Sequence, residues 1–346
     1  MIRFDVKPFD RDEWTGLITG LQGLSLLQTW EYGEAKAAGG PWRVERGVFL
    51  SGGEIIGAVQ AMVRPLPLVG GGLVWINRGP LWRRDAEDRV GEMLRLAGEA
   101  WLARRFYVRA QPPLLCVRAQ PPLLCVQAQP PLPSLSPVPG FQATGRAGWA
   151  SALIDLTLPE ETLRRQLGQK WRNVLNKAER QPLTLRIGDD APEFEAFLAA
   201  HGQFLDERGF ATSLTPELLR RLREFCPREH RPVSLLASMG EDVVGSVLIG
   251  RYGDTAEYLS GNLSDEGRKA GAGQLLLWRA LCDAKARGAV RFDLGGMDDA
   301  RTPPGIYRFK AETGGAPYRL AEEIEAARGD PLSRLVRWRA RRALAD

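Results

Sequence analysis

Two stretches of this 346-residue chain run through the same order of strands, turns and helix, and no other feature narrows its fold as much. In the first, Val48-Phe49-Leu50 passes through Gly52-Gly53 into Glu54-Ile55-Ile56-Gly57-Ala58-Val59, and a glycine turn at 70–72 leads to Leu73-Val74-Trp75-Ile76. Helical spacing follows over 87–104, where Val90, Met93, Leu94 and Leu96 are apolar, and Phe106-Tyr107-Val108 reads as a closing strand. The second stretch repeats the order: Ser234-Leu235-Leu236, a turn at Gly240, Asp242-Val243-Val244-Gly245-Ser246-Val247, a turn at Gly253, and Ala256-Glu257-Tyr258-Leu259. A helix over 274–287 and the strand Val290-Arg291-Phe292 complete it. Gly57 to Phe106 and Gly245 to Phe292 are nearly equal separations, which predicts two copies of one fold. The competing reading is an ordinary α/β chain whose elements happen to recur.

Between the repeats, acidic residues and prolines at helix starts predict one helix over 159–180 and two more over 192–208 and 216–225. A basic amphipathic helix is expected over 331–344. Residues 109–132 carry a tandem repeat, Arg-Ala-Gln-Pro-Pro-Leu-Leu-Cys-Val twice and then fading, whose paired prolines predict an extended loop. It reads as a duplicated stretch in a tolerant loop, or as a ligand for a partner's aromatic groove.

Several functional classes are excluded early. The longest apolar runs are broken by Arg64, Arg109, Arg118 or prolines, so no spanning helix is expected, and the N-terminus lacks an apolar signal core, which predicts a cytoplasmic chain. Four cysteines form no C-x-x-C pair, and neither His201 nor His230 has a second metal-type ligand nearby, so no metal site is expected. A net charge of +5 points to anionic partners: nucleic acid, a phosphorylated metabolite or a membrane surface.

Three constellations could carry chemistry. In Leu27-Gln28-Thr29-Trp30-Glu31-Tyr32-Gly33-Glu34-Ala35-Lys36, Trp30, Tyr32 and Lys36 either line a pocket for a phosphate or belong to a helix that packs Trp30 inward. In the 170–180 segment, Lys170, Arg172, Lys177 and Arg180 crowd one short helix, and Lys170 and Lys177 share a face that suits a diphosphate. A solvated basic face is the alternative. In the third, Phe292-Asp293-Leu294-Gly295-Gly296 precedes Gly305-Ile306-Tyr307-Arg308-Phe309-Lys310, so a strand end open to a ligand is followed by a lysine able to meet an oxyanion.

A meander followed by helix and strand resembles the core of the N-acyltransferase (GNAT) fold. The fold class is therefore read as α+β: two GNAT-like (acyl-CoA N-acyltransferase-type) domains, with mixed, mostly antiparallel sheets flanked by helices. Arg268-Lys269-Ala270-Gly271-Ala272-Gly273 matches the R-x-x-G-x-G phosphate loop of such enzymes, making Arg268, Gly271 and Gly273 a candidate phosphate loop. In order and spacing, the three constellations and Arg78-Gly79-Pro80 resemble the Fem family (FemABX-like), aminoacyl-tRNA-dependent transferases that add amino acids to peptidoglycan precursors. The resemblance spans roughly residues 15–326. It implies domains at 1–150 and 151–317, with 318–346 packing on the first.

The resemblance also implies roles. Lys36 and a basic residue of the 170–180 helix, Lys177 or next Arg172, would hold the phosphates of a UDP- or lipid-linked precursor. Trp30 and Tyr258 would contact substrate, and Phe309 with Lys310 would form the catalytic pair toward the aminoacyl-tRNA end. No cofactor is implied beyond aminoacyl-tRNA as co-substrate. Where one family member has a carboxylate after the first domain's last strand, this chain has Gln111, which cannot act as a base; Asp293 is the nearest carboxylate in the third motif. Arg334, Arg337, Arg339, Arg341 and Arg342 form a basic surface for tRNA or for peripheral contact with the inner membrane, or a solvated helix face. An acyl-CoA-dependent N-acyltransferase and a non-catalytic scaffold binding precursor or tRNA remain the alternative functions.

Overall fold

Gly52 and Gly53 take φ of +61° and +90° in the computed structural model, the paired positive values a two-residue hairpin turn requires, and the strands Arg43–Ser51 and Glu54–Leu66 meet across them. The structure describes residues 1–66, 70–114, 137–208 and 214–342. It divides into two units, Met1–Trp149 with Arg319–Asp346, and Ala150–Tyr318.

In the first unit the sheet runs Ile2–Val6, Arg43–Ser51, Glu54–Leu66, Gly71–Asn77, Phe106–Gln111, Ile324–Ala326, Gln142–Ala143, with Leu81–Trp82 pairing beside Glu54–Leu66. Gly71–Asn77 and Phe106–Gln111 lie parallel, joined by the crossover helix Val90–Ala103. That helix buries Val90, Met93, Leu94, Ala97 and Trp101 at three- and four-residue spacing against the sheet. The strand Ile324–Ala326 is fixed by buried charge. Arg109 pairs with Glu323, and Glu325 accepts from the Tyr107 hydroxyl, from Gln142 Nε2 at 3.1 Å and from Arg337. The tandem repeat therefore starts as strand: Arg109–Gln111 retain the N–H groups that pairing needs, and the prolines begin only at Pro112. Residues 115–132 of the repeat lie outside the described residues.

The second unit's sheet runs Ala316–Arg319, Ala150–Asp155, Arg291–Asp293, Thr255–Leu263, Asp242–Tyr252, Val233–Met239, Thr184–Gly188. Its middle repeats the first unit's plan: two antiparallel steps, then the crossover helix Ala272–Ala286 into a parallel strand. Side chains alternate across it. Leu235, Ala237, Val247 and Ile249 join the core under the crossover helix, while Leu236 and Leu248 meet Phe194, Phe197 and Leu219 of the helices Ala191–Arg208 and Pro216–Phe225. The single helix expected over 159–180 is instead two, Glu160–Gln166 and Gln169–Ala178. Gly168 between them is extended and donates its N–H to the Glu312 carbonyl at 2.8 Å, a tertiary bond that breaks the helix. Among the described residues no helix is long and apolar enough to cross a membrane.

Gly57 and Gly245 occupy matching places in the two repeats. A Cβ on Gly57 would lie 2.8 Å from Met93 Sδ, and one on Gly245 would lie 3.1 Å from Leu276 Cδ1, both on the crossover helices. Gly57→Val and Gly245→Val are each expected to lower stability in urea denaturation by about 1–3 kcal/mol through overpacking. Gly91→Ala, in open space within a helix, should leave stability unchanged or raise it by less than about 1 kcal/mol.

Candidate active site

The parallel pairing of Thr255–Leu263 with Arg291–Asp293 lasts three residue pairs, ending at Glu257 opposite Asp293. Beyond it the ladder splits, and no further residue pairs form between the two strands. Gly295 turns with φ +68°, so close to Tyr258 that a Cβ would come 2.4 Å from the Tyr258 carbonyl oxygen. Only glycine fits. On the other edge of Thr255–Leu263 the register with Asp242–Tyr252 slips: Leu248 faces Ser260 and Ile249 faces Tyr258, leaving Leu259 as an extra residue. Such a bulge unpairs backbone and re-aims side chains beside the split.

Asp293 fastens this region. Its carboxylate accepts from the Ser151 hydroxyl, from the Gly295 N–H at 2.8 Å and from the Tyr318 hydroxyl at 2.5 Å. It is buried with both oxygens engaged, so it acts as a brace for the loop rather than as an open base. Neither Ser151 nor Tyr318 carries a sequence signal; each meets Asp293 only because its strand joins the same sheet.

Lys310, on the helix Pro304–Ala311, reaches into the split. Its Nζ donates to the Gly296 carbonyl at 2.9 Å and sits 5.1 Å over the Tyr258 ring. Only 7 % of the residue is exposed. Burial brings its pKa down from 10.5 to about 8, with Asp293 and Glu257 pulling the other way. The hydrogen bond and the ring favour the charge, but loss of hydration is the larger effect. Burial raises the Tyr258 phenol, which stays protonated beneath it. Phe309 faces elsewhere: its ring packs 5.9 Å from Trp171, and its carbonyl accepts from Trp171 Nε1 at 3.0 Å. The structure thus places Lys310 at the split and Phe309 as the contact that seats its helix.

Trp171 belongs to the basic helix Gln169–Ala178, which buries Trp171, Leu175 and Ala178 and exposes Lys170, Asn173, Val174 and Lys177 on one side. Arg172 donates to the Arg165 carbonyl at 3.2 Å, while Lys170 and Lys177 have no ion pair among the described residues. This helix covers the candidate phosphate loop. Arg268 lies in the short helix Asp265–Ala270, pairs with Asp265 and donates to the Leu263 carbonyl at 2.9 Å. Gly271 caps that helix at φ +76°, and a Cβ there would lie 2.9 Å from Val174 Cγ1 and 3.2 Å from Ala178 Cβ. Gly271, Ala272 and Gly273 are buried, so these glycines serve helix packing. Val174 and Ala178 thus pack directly against Gly271.

Lys36 and Trp30 belong to the first unit, on the helix Trp30–Ala38. Trp30 packs in a core cluster with Arg11 and Arg46 at 5.0 and 5.6 Å from its ring, the inward-packed alternative. Gln28, buried, exchanges bonds with the Gln60 backbone at 3.0 and 2.8 Å, while Gln60 Nε2 bonds the Thr29 carbonyl at 2.7 Å and Arg46 joins Gln60 to Glu34. Much of this motif is therefore scaffold, holding one helix face in place. That face carries Tyr32 and, one turn on, Lys36, whose half-burial lowers its pKa. Burial pushes the Tyr32 phenol up to about 12, with Arg78 opposing. Arg78 is buried at φ +54° with its guanidinium 4.6 Å over Trp149. Tyr32 and Arg78 lie in separate sequence motifs, and no spacing rule joins them. A surface groove of about 460 Å³ in this unit, lined by Lys7, Phe9, Glu45 and Arg104 among others, contains none of these candidates. Among the described residues no three His, Cys, Asp or Glu side chains gather to hold a metal ion.

Residues 163–311 match the family model described as an acetyltransferase (GNAT) domain. FemX is similar over 96 % of this chain and 99 % of its own, with a TM-score of 0.76 and 14 % identity. A tandem GNAT protein from the clavulanic acid biosynthesis pathway matches over 94 % of this chain and 98 % of its own, with a TM-score of 0.54 and 15 % identity. A conserved protein of unknown function from Bacteroides thetaiotaomicron matches over 94 % and 99 %, with a TM-score of 0.59 and 10 % identity. No curated protein matches the chain significantly. At these identities the structural likeness is one of fold: two GNAT-like units in one chain.

Lys310 makes a pH-dependent prediction. The displacement of its pKa from 10.5 to about 8 corresponds to about 3 kcal/mol against the charged form. Below about pH 8 the folded chain keeps the proton and carries that penalty; above about 10.5 the lysine is neutral folded or unfolded and the penalty is gone. Relative to Lys310→Met, the wild-type protein should therefore gain stability between pH 8 and 10.5 in urea titrations. A pH-independent difference would contradict the assignment.

Proposed function

We propose that this Fem-like twin-GNAT acyltransferase moves an amino acid from aminoacyl-tRNA to the side-chain amine of a peptidoglycan-precursor stem peptide, the step that builds an interpeptide bridge. The observation that carries the reading is the buried, cationic Lys310 at the strand split. The amine attacks the ester carbonyl, a C–N bond forms, the C–O bond to the ribose breaks, and the amine's proton ends on the departing hydroxyl. Exchanging an ester for an amide runs downhill and needs no nucleotide hydrolysis. What the protein must supply is position and charge.

Lys310, charged below about pH 8, stabilises the carbonyl oxygen as it gains charge or holds the tRNA's terminal phosphate. Tyr258 forms the floor beneath it. Asp293 keeps the loop in place, and with Gln111 unable to accept a proton, water or substrate groups take the amine's proton. Lys177 and Lys36 are assigned to the precursor's phosphates, whether UDP-linked or lipid-linked. Charged tRNA places the reaction in the cytoplasm. The likeness to FemX over 96 % of the chain supports this reading over transfer from acyl-CoA. So does the packing of Val174 and Ala178 over the candidate phosphate loop. The acyl-CoA reading is favoured by the description of the family model, acetyltransferase, and is kept as the second.

The deciding assay follows a labelled amino acid from charged tRNA into precursor. RNase-sensitive transfer is expected; RNase-resistant transfer that requires acyl-CoA would replace the first reading with the second. Lys310→Met should lower kcat about 10²–10³-fold while leaving the folded state intact. The rate should fall as pH rises through about 8, and Lys310→Arg should move that alkaline limb upward. A scaffold with no catalytic role would support no transfer in this assay, with or without Lys310.

A further inference from the structure

The helix Pro331–Arg342 uses only part of its circumference to hold the first unit. Ser333 and Val336 are buried, Val336 beside Leu73 and Tyr107, and Arg337 pairs with the buried Glu325. Its start is capped by Asp330, which accepts from the Ser333 N–H at 3.0 Å and the Ser333 hydroxyl at 2.9 Å. The opposite side is different. Leu335 and Trp338, three residues apart and so on one face, are 44 % and 51 % exposed. Arg334 and Arg339 are exposed as well, and at about 100° per residue they fall on either flank of the Leu335–Trp338 stripe. The helix has five arginines and no acidic residue.

An aliphatic and an indole side chain at the centre, with a cation on each flank, is the profile of a helix lying flat in a bilayer interface. The apolar stripe enters the acyl boundary, the indole suits the headgroup level, and the arginines meet lipid phosphates. An RNA surface would use the arginines and could stack a base on Trp338, but it has no use for Leu335, which offers nothing to phosphate and cannot stack on a base. We propose that this face docks the chain on an anionic phospholipid surface. The rest of the helix is already fixed by Val336 and the Arg337–Glu325 pair, so docking requires no folding step.

Docking needs no precursor in the bilayer, so the test is separable from the transfer reaction. Full-length protein is sedimented with vesicles of phosphatidylcholine alone or with about 30 % phosphatidylglycerol at physiological salt. Binding to the anionic vesicles only is expected. It should weaken about tenfold or more in a Leu335→Ser, Trp338→Ser double variant and in an Arg334→Glu, Arg339→Glu double variant. These residues are exposed, and unchanged thermal unfolding should accompany both. Brominated lipid should quench tryptophan fluorescence in the wild type and less in Trp338→Phe. Absence of vesicle binding would overturn the proposal, as would binding indifferent to both variants. Retention on tRNA that needs Arg334 and Arg339 but not Leu335 and Trp338, without vesicle binding, would assign the face to RNA instead.

Discussion

The Lys310 ammonium is enclosed where two parallel strands stop pairing, and the second unit's site is organised around that charge. A buried lysine loses hydration, and here the partial replacement is one carbonyl, one aromatic face and two carboxylates on the neighbouring strands. That arrangement holds only if the strand ends stay where they are. Asp293, held by Ser151, Gly295 and Tyr318, fastens one end, and the bulge at Leu259 shapes the other. Phe309 on Trp171 then sets the depth to which the lysine's helix can settle. The charge is disfavoured by the fold and retained by it, the combination expected of a group that acts on a substrate rather than one that stabilises the structure.

The two units repeat one plan but differ where it matters for chemistry. In the first, the parallel pair stays closed over six residue pairs, from Gly72 with Phe106 to Asn77 with Gln111, and the far side of Phe106–Gln111 is taken by Ile324–Ala326. Arg109–Glu323 and the bonds to Glu325 lock that edge. In the second, pairing stops after three residue pairs, and Lys310 sits beside the end of the ladder. One copy therefore ends its parallel ladder where the other continues it. The first unit instead brings Tyr32 near the left-handed Arg78, with Lys36 one turn further along the same helix.

Much of this was legible in the chain. The duplication could be read because hairpin turns demand glycine at left-handed positions and because crossover helices and strands have different periods. The helix at 216–225 could be read because Pro216 and Glu217 stand in its first turn. The break at Gly168 could not, since its cause is a bond to Glu312, far along the chain. Nor could the role of Asp293, whose partner Ser151 lies 142 residues away. Gly271 and Gly273 show the opposite failure. Their spacing matches a phosphate loop, but the same small residues also permit two helices to touch, and only the position of Val174 distinguishes the two uses. Trp30 and Gln28 were embedded in a motif of functional appearance whose hydrogen bonds prove to be mostly structural.

The most direct test of the account is the titration of Lys310 itself. Protein carrying isotopically labelled lysine, assigned by comparison with Lys310→Met, would be followed by NMR across alkaline pH, alone and with an aminoacylated tRNA 3′-end fragment. A resonance titrating near pH 8 that shifts when the fragment is added is the predicted result. A resonance titrating above pH 10 and indifferent to the fragment would contradict a buried, donor-facing lysine.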